Sequence, residues 1–214
     1  MQRKLKKKHK PAVFLDRDGT LISDVGYLSH PSQVRFFPKA AEALKLLRKK
    51  GFYLFVVTNQ SGVARGYFRE SDVHRAHRRI QMLLRAKGAR LDGFFYCPHY
   101  PRGKVKSFRR VCGCRKPQPG MVLQAARRFG VDLSRSYAVG DKRDDLLLAE
   151  NAGLRRGLLV RTGNGKRTEK EMTARERRKF PVVSNLYQAA RWILKDSKKI
   201  HFHHGDTEGT EKEF

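Results

Sequence analysis

Asp16 and Asp18 stand one residue apart, directly after the apolar run Ala12-Val13-Phe14-Leu15 and directly before Gly19-Thr20. In an extended chain residues i and i+2 face the same side, so both carboxylates can address one site. Two carboxylates this close repel unless a proton or a cation lies between them, and a hard cation with oxygen ligands, most simply Mg²⁺, suits the pair. Taken alone, the same residues also read as a strand followed by an Asp-Gly turn. Three further places supply polar groups of the same kind. The apolar run 52–57 ends in Thr58-Asn59-Gln60-Ser61-Gly62, and Tyr137-Ala138-Val139 ends in Gly140-Asp141-Lys142-Arg143-Asp144-Asp145. Lys116 stands in Arg115-Lys116-Pro117, just before a helical segment. Together these are the parts of a phosphoryl-transfer site. A carboxylate nucleophile can form an aspartyl-phosphate. A second carboxylate can protonate the leaving oxygen and then take a proton from water. A hydroxyl, a lysine and a metal can neutralise charge on the group in transit.

Such groups need rigid elements behind them, and the chain alternates strand and helix patterns throughout. Strands are expected at 12–15, 52–57, 91–96, 137–139 and 157–160, with Val182-Val183 as a last edge strand. Apolar residues at Ala40, Ala43, Leu44 and Leu47 predict a helix over 39–50, stopped by Gly51. Further helices are expected over 71–87 with Ser71 as N-cap, 119–129 with Pro119 at its start, 146–152 and 186–194. His74 and His77 read as surface residues of the second helix, since no acidic or cysteine partner lies at ligand spacing. Residues 163–180 read as a flexible, charge-dense loop with one short helix. The alternation predicts an α/β fold with a doubly wound, Rossmann-like parallel sheet. In such sheets ligands bind outside the carboxyl ends of the strands, where the polar clusters fall.

The chain has 214 residues, of which 39% are hydrophobic, enough for one α/β domain. Its 48 Lys and Arg against 20 Asp and Glu give a formal charge of +28. That charge suits an anionic partner or serves solubility, and it is spread along the whole chain. No apolar run approaches the roughly 20 residues that span a bilayer, so membrane insertion is not expected. The segment after the basic arm 1–10 is too short for the core of an export signal, and the expectation is a cytoplasmic, monomeric protein. Residues 11–196 form the expected domain, and 197–214 a disordered tail.

The three cysteines, Cys97, Cys112 and Cys114, are too few and too odd in number for a disulfide framework. With His99 they make a Cys-x-His and a Cys-x-Cys pair within the loop 97–114. Thiolate and imidazole in a set of four suit structural Zn²⁺. Buried cysteines beside an incidental histidine are the alternative. A closed zinc site would order a loop that has little apolar content and that ends at Arg115-Lys116.

The set DRDGT, VVTNQSG, CRKPQPGM and GDKRDD, in this order, resembles the four motifs of the haloacid dehalogenase (HAD) superfamily of phosphatases over residues 12 to about 162. The resemblance implies Asp16 as nucleophile and Asp18 as general acid/base. It implies Thr58 and Lys116 on the phosphoryl oxygens, and Mg²⁺ held by Asp16, Asp141 and the backbone carbonyl of Asp18, with Asp145 behind them. Lys142 matches the family pattern at the metal and phosphate end. The Cys/His loop, with TNQSG and ARG nearby, is similar to the branch shared by D-glycero-D-manno-heptose 1,7-bisphosphate 7-phosphatases and histidinol-phosphate phosphatases. The long span between the ligand pairs resembles the heptose enzymes more. Family substrate contacts fall on Asp24, Val25, Gly26 and Tyr27, on Thr58, Asn59, Gln60 and Ser61, and on Arg115 and Lys116. The substrate implied is a small phosphorylated sugar, on the route to nucleotide-activated heptose. A phosphatase of nucleic-acid 3′-phosphate ends is the alternative that the charge favours, although no nucleic-acid-binding signature is present. The spans between motifs leave no room for a large cap domain.

Overall fold

A computed structural model describes residues 9–28 and 30–202. The arm 1–10 therefore lies almost wholly outside the described residues, as does most of the tail. At the boundary Lys10 forms a parallel bridge with Val131 and sets its ammonium 5.7 Å from the Tyr53 ring centroid.

The strands are β1 (Ala12–Leu15), β2 (Tyr53–Asn59), β3 (Gly93–Cys97), β4 (Tyr137–Gly140), β5 (Arg156–Val160) and β6 (Val182–Val183). They pair in parallel in the order β3-β2-β1-β4-β5-β6. This is the doubly wound order, and it reverses between β1 and β4. The helices are α1 (Ala40–Lys49), α2 (Gly62–Arg65), α3 (Glu70–Ala86), α4 (Gly120–Phe129), α5 (Arg143–Asn151), α6 (Gly165–Glu171), α7 (Ala174–Lys179) and α8 (Leu186–Phe202).

Alternation along the strands splits the core into two layers. Val13, Leu15, Leu54, Val56, Val139 and Val160 pack with Ala43, Leu44 and Leu47 of α1, Ile80 and Leu84 of α3 and Ile193 of α8. Phe14, Phe55, Val57 and Ala138 face the other way, onto Met121, Val122 and Ala125 of α4 and Leu148 and Ala149 of α5. Between β1, β2, β3 and β4 lie these helices, the loop 16–39 and the Cys/His loop, so among the described residues no large cap covers the carboxyl edge of the sheet.

Several boundaries move, each for a local reason. β2 runs on to Thr58 and Asn59 because both pair with β3, opposite Tyr96 and Cys97. Ser71 is the second residue of α3 and not its cap. The Asp72 carboxylate reaches back to the Arg69 N–H at 2.8 Å and sets the helix start two residues earlier. Asp144 and Asp145 fall in the first turn of α5, where the helix dipole favours carboxylates. Residues 163–180 are two helices and not a flexible loop. Thr173 caps α7 by accepting from the Glu176 N–H, while Glu176 accepts from the Thr173 N–H, and Met172 and Phe180 bury against Leu146 and Leu159. α8 continues to Phe202, well past Leu194, into the segment expected as tail. Its Asp196 accepts from the Arg155 guanidinium at 2.6 Å and the Tyr137 hydroxyl at 2.8 Å, tying the helix to the sheet.

Candidate active site

The ends of β1, β2 and β4 and the start of α4 converge at the reversal in strand order. Asp16 leaves β1 with its N–H donated to the Val139 carbonyl of β4 at 2.9 Å. The turn that follows places Gly19 at φ +88° against Asp141, where any Cβ would strike the Asp141 carboxylate, so glycine is required there.

Lys116 is the electrostatic centre. Its buried ammonium donates to Asp16 Oδ1 at 2.5 Å, to Asp145 Oδ1 at 2.6 Å and to the Val57 carbonyl at 2.9 Å. Burial alone would lower the lysine pKa, but Asp145 and Asp16 outweigh it and raise it. The Asp16 carboxyl is pushed up to about 8, first by burial and then by the charges of Asp145, Asp141 and Asp18, against the pull of Lys116. Asp141 is likewise raised, by burial and by Asp145. The cluster therefore carries more negative charge than Lys116 balances.

Asp16, Asp141 and Asp145 offer carboxylate oxygens that lie within 4.8 Å of one another. Their free capacity is uneven. Both Asp145 oxygens are taken, by Lys116 and by the Lys142 N–H at 3.0 Å. Asp141 Oδ2 accepts from the Asn164 backbone and side chain at 2.7 and 3.1 Å. Asp141 Oδ1 is buried without a protein partner. An orphaned buried carboxylate oxygen beside a second acid fits a hard cation. The Lys142 ammonium, next in sequence to Asp141, lies 3.5 Å from Asp24 Oδ2, so its side chain supplies positive charge at this end of the site.

A cleft of about 240 Å³ lies beside this buried cluster, and its lining includes Asp18, Asp24, Gly26, Tyr27, Asn59, Gln60, Ser61, Arg115 and Lys142, but not Asp16, Lys116, Asp141 or Asp145. The expected residues are thus divided between the cleft lining and the buried cluster of Asp16, Lys116 and Asp141 beside it, and so is their work. Thr58 is buried, and its hydroxyl accepts from Gln60 Nε2 at 2.8 Å. Asn59 is committed to the backbone of Lys116, accepting from its N–H at 2.9 Å and donating to its carbonyl at 3.1 Å. Gln60 is equally committed, donating to Asp18 at 3.0 Å and accepting from Arg17 at 2.9 Å. Asp24 accepts from the Gly26 N–H and holds the loop's turn. Tyr27 packs edge-on against Tyr67 at 4.6 Å, whereas Val25 is exposed and is not part of the lining. The Arg115 guanidinium lies 5.4 Å from the Tyr100 ring centroid and donates to the His99 carbonyl at 3.4 Å.

Sequence reasoning missed Arg17 and His77. Arg17 is 1% exposed and binds Asp18 through its guanidinium. His77, expected on the surface, is buried against Phe94 with its ring centroid 4.5 Å away. A signal was present: Val73, His77, Ile80 and Leu84 follow the helical spacing of a buried face. His74 is exposed as expected, and lies 3.1 Å from the Tyr96 hydroxyl.

The Cys/His loop closes on itself beside α4. Cys97 Sγ lies 3.5 Å from Cys112 Sγ and 3.6 Å from His99 Nδ1, and Cys114 Sγ lies 3.4 Å from both Cys112 Sγ and His99 Nδ1. A tetrahedron with Zn–S of about 2.3 Å and Zn–N of about 2.0 Å has edges of roughly 3.5–3.8 Å. The four side chains therefore fit a zinc ion, and all three cysteines are free. The loop leads into Arg115 and Lys116. Among the described residues no helix is long and apolar enough to cross a membrane.

Comparison with known proteins agrees with this geometry. The family described as HAD-hydrolase-like matches residues 113–189. The D-glycero-beta-D-manno-heptose-1,7-bisphosphate 7-phosphatase of Escherichia coli (strain K12) is 44% identical over 184 residues, covering 86% of this chain and 88% of its own. The enzyme of the same name from Haemophilus ducreyi is 45% identical over 177 residues, covering 82% and 93%. Among solved structures, the D,D-heptose 1,7-bisphosphate phosphatase of B. bronchiseptica, complexed with magnesium and phosphate, superimposes with a TM-score of 0.76. It is 33% identical, with 87% of this chain and 99% of that one covered. With the motifs, the parallel sheet and the acid–lysine cluster in agreement, the chain belongs to the HAD phosphatases, within the family of the heptose-1,7-bisphosphate 7-phosphatases.

Proposed function

We propose that this protein is a Mg²⁺-dependent phosphomonoesterase that removes the C7 phosphate of D-glycero-D-manno-heptose 1,7-bisphosphate through an aspartyl-phosphate on Asp16. The observation that carries this reading is the buried contact of Lys116 with Asp16 and Asp145 beside Asp141, whose Oδ1 has no protein partner. Asp16 and Asp141 would hold Mg²⁺ together with the backbone carbonyl of Asp18. The cation, when bound, supplies the positive charge that keeps Asp16 ionised and offsets charge on the phosphoryl oxygens.

The chain's own groups divide the reaction into two transfers. An Asp16 oxygen forms a bond to phosphorus while the ester P–O bond breaks, and the leaving oxygen takes its proton from Asp18. Water then loses a proton to Asp18, its oxygen bonds to phosphorus, and Asp16 is released with inorganic phosphate. Lys116 offsets charge on the transferring group. Because Gln60 donates to the Thr58 hydroxyl oxygen, Thr58 keeps its own proton for a phosphoryl oxygen. Arg115 has no carboxylate partner among the described residues, and its planar fork suits the phosphate that stays on the sugar. The Cys97-His99-Cys112-Cys114 set would hold a structural Zn²⁺ that orders the approach to Arg115 and Lys116. All of these residues lie in one chain, so the site is complete in a monomer.

The test is phosphate release, with Mg²⁺, from heptose 1,7-bisphosphate, histidinol phosphate and a 3′-phosphorylated oligonucleotide. Preferred turnover of the heptose ester, with the 1-phosphate retained, supports the reading. Turnover of the oligonucleotide alone overturns the sugar substrate.

A further inference from the structure

Beside Asp18 and Gln60 lie two buried polar side chains to which the mechanism above gives no task, Arg17 and His77. Alternation along β1 sends Arg17 to the side opposite Asp16 and Asp18. Its long side chain nevertheless turns back. Nε donates to both Asp18 oxygens at 3.1 Å, and one terminal nitrogen donates to Gln60 Oε1 at 2.9 Å. The other terminal nitrogen faces His77 Nε2 at 3.4 Å. The imidazole is fixed in turn by stacking on Phe94 at an interplanar angle of 19°. Burial, with the nearby charge of Arg17 and His74, holds the His77 pKa well below 6.5. The ring is therefore neutral, and with its proton on Nδ1 it offers Nε2 as an acceptor to the guanidinium.

The Asp18 side chain keeps 19% exposure and lines the cleft. Its carboxyl group is thus gripped from behind and open in front. We propose that Arg17 and His77 are positioning residues for proton transfer, His77 anchoring the Arg17 guanidinium so that its fork holds the Asp18 carboxyl toward the leaving oxygen of the phosphate ester. This rests on the phosphatase reading and on Asp18 as its acid. The step affected is the first transfer: the ester P–O bond breaks, its electron pair stays on the leaving oxygen, and that oxygen takes the Asp18 proton. An aliphatic sugar oxygen needs that proton, whereas p-nitrophenolate is a stable anion at neutral pH and leaves without it.

The experiment compares single-turnover cleavage of heptose 1,7-bisphosphate and p-nitrophenyl phosphate by wild type, His77→Leu and His77→Gln, with Mg²⁺ and enzyme in excess. His77→Leu slows cleavage of the sugar ester about tenfold or more, at unchanged substrate affinity, and changes release of p-nitrophenolate less than about twofold. His77→Gln, whose amide oxygen accepts from Arg17, recovers most of the sugar-ester rate. Arg17→Lys keeps the charge but loses the fork, and gives the same split if His77→Leu does not fold. Equal losses on both esters, or no loss on either, overturn the inference while the phosphatase reading stands. A wild type inactive on both esters overturns the phosphatase reading and the inference with it.

Discussion

Asp16 is the nucleophile in the mechanism we propose, and its neighbours show what it must overcome. Three other carboxylates crowd a buried group that has one buried ammonium to balance it. Asp16→Asn keeps the size and removes the attacking oxygen, so phosphate release falls by at least about a thousandfold. Far-UV circular dichroism of the variant stays unchanged. His77 makes a prediction of opposite kind, in stability. Its folded pKa lies below the unfolded value of 6.5, so below that pH the unfolded chain binds a proton the folded chain refuses. This contribution is fully present above pH 6.5 and is lost as pH falls toward the folded pKa, at up to about 1.4 kcal/mol per pH unit. Urea titrations between pH 7 and pH 5 show the decline, and His77→Gln flattens that part of it. The meeting of Asp16, Lys116 and Asp141 was legible in the sequence because each ends an apolar run or stands just before a helix. The partners of Asn59 and Gln60 were not, since they come from Lys116 and Arg17 and depend on how distant turns meet. His77 was misread because it was weighed as a metal ligand and not against the apolar spacing around it.

The elements divide into those held by apolar contact and those held by polar ones. The strands and α1, α3 and α4 announce themselves by periodicity, and the structure keeps them within a few residues of expectation. Where α6 and α7 stand the sequence yields one short helix and a loop, because the segment is dense in charge, although Thr173 and Glu176 spell out a capping box. Thr173→Ala removes one side of that box and costs about 1 kcal/mol in chemical denaturation. The Cys/His loop has still less apolar content, and its order is expected to come from metal. Purified protein carries about one zinc per chain, read by atomic absorption. Cys112→Ser lowers that content, lowers the melting temperature and opens the loop to limited proteolysis. Because the loop feeds straight into Lys116, the same variant loses activity with no change in the catalytic residues themselves.

On the scale of the molecule, the doubly wound parallel sheet was legible from alternation, because parallel strands buried on both faces read as continuous apolar runs, whereas the order of its strands depends on crossovers that no local pattern encodes. The sheet's carboxyl edge then gathers groups far apart in sequence, and the formal charge of +28 favours the approach of anions to the molecule. What the chain lacks above that edge shapes its kinetics. Enzymes that close a domain over their substrate often spend the turnover waiting for it to reopen. Here, among the described residues, the opening is flanked by the loop around Tyr27, the segment after β2, the start of α5 and Arg115 at the end of the Cys/His loop, so none of these is a large body for product to displace on its way out. The slow event is then bond-making at phosphorus and not diffusive motion. Under saturating substrate, kcat plotted against relative viscosity in sucrose is flat, and a slope near one would reveal a gate that the fold gives no sign of.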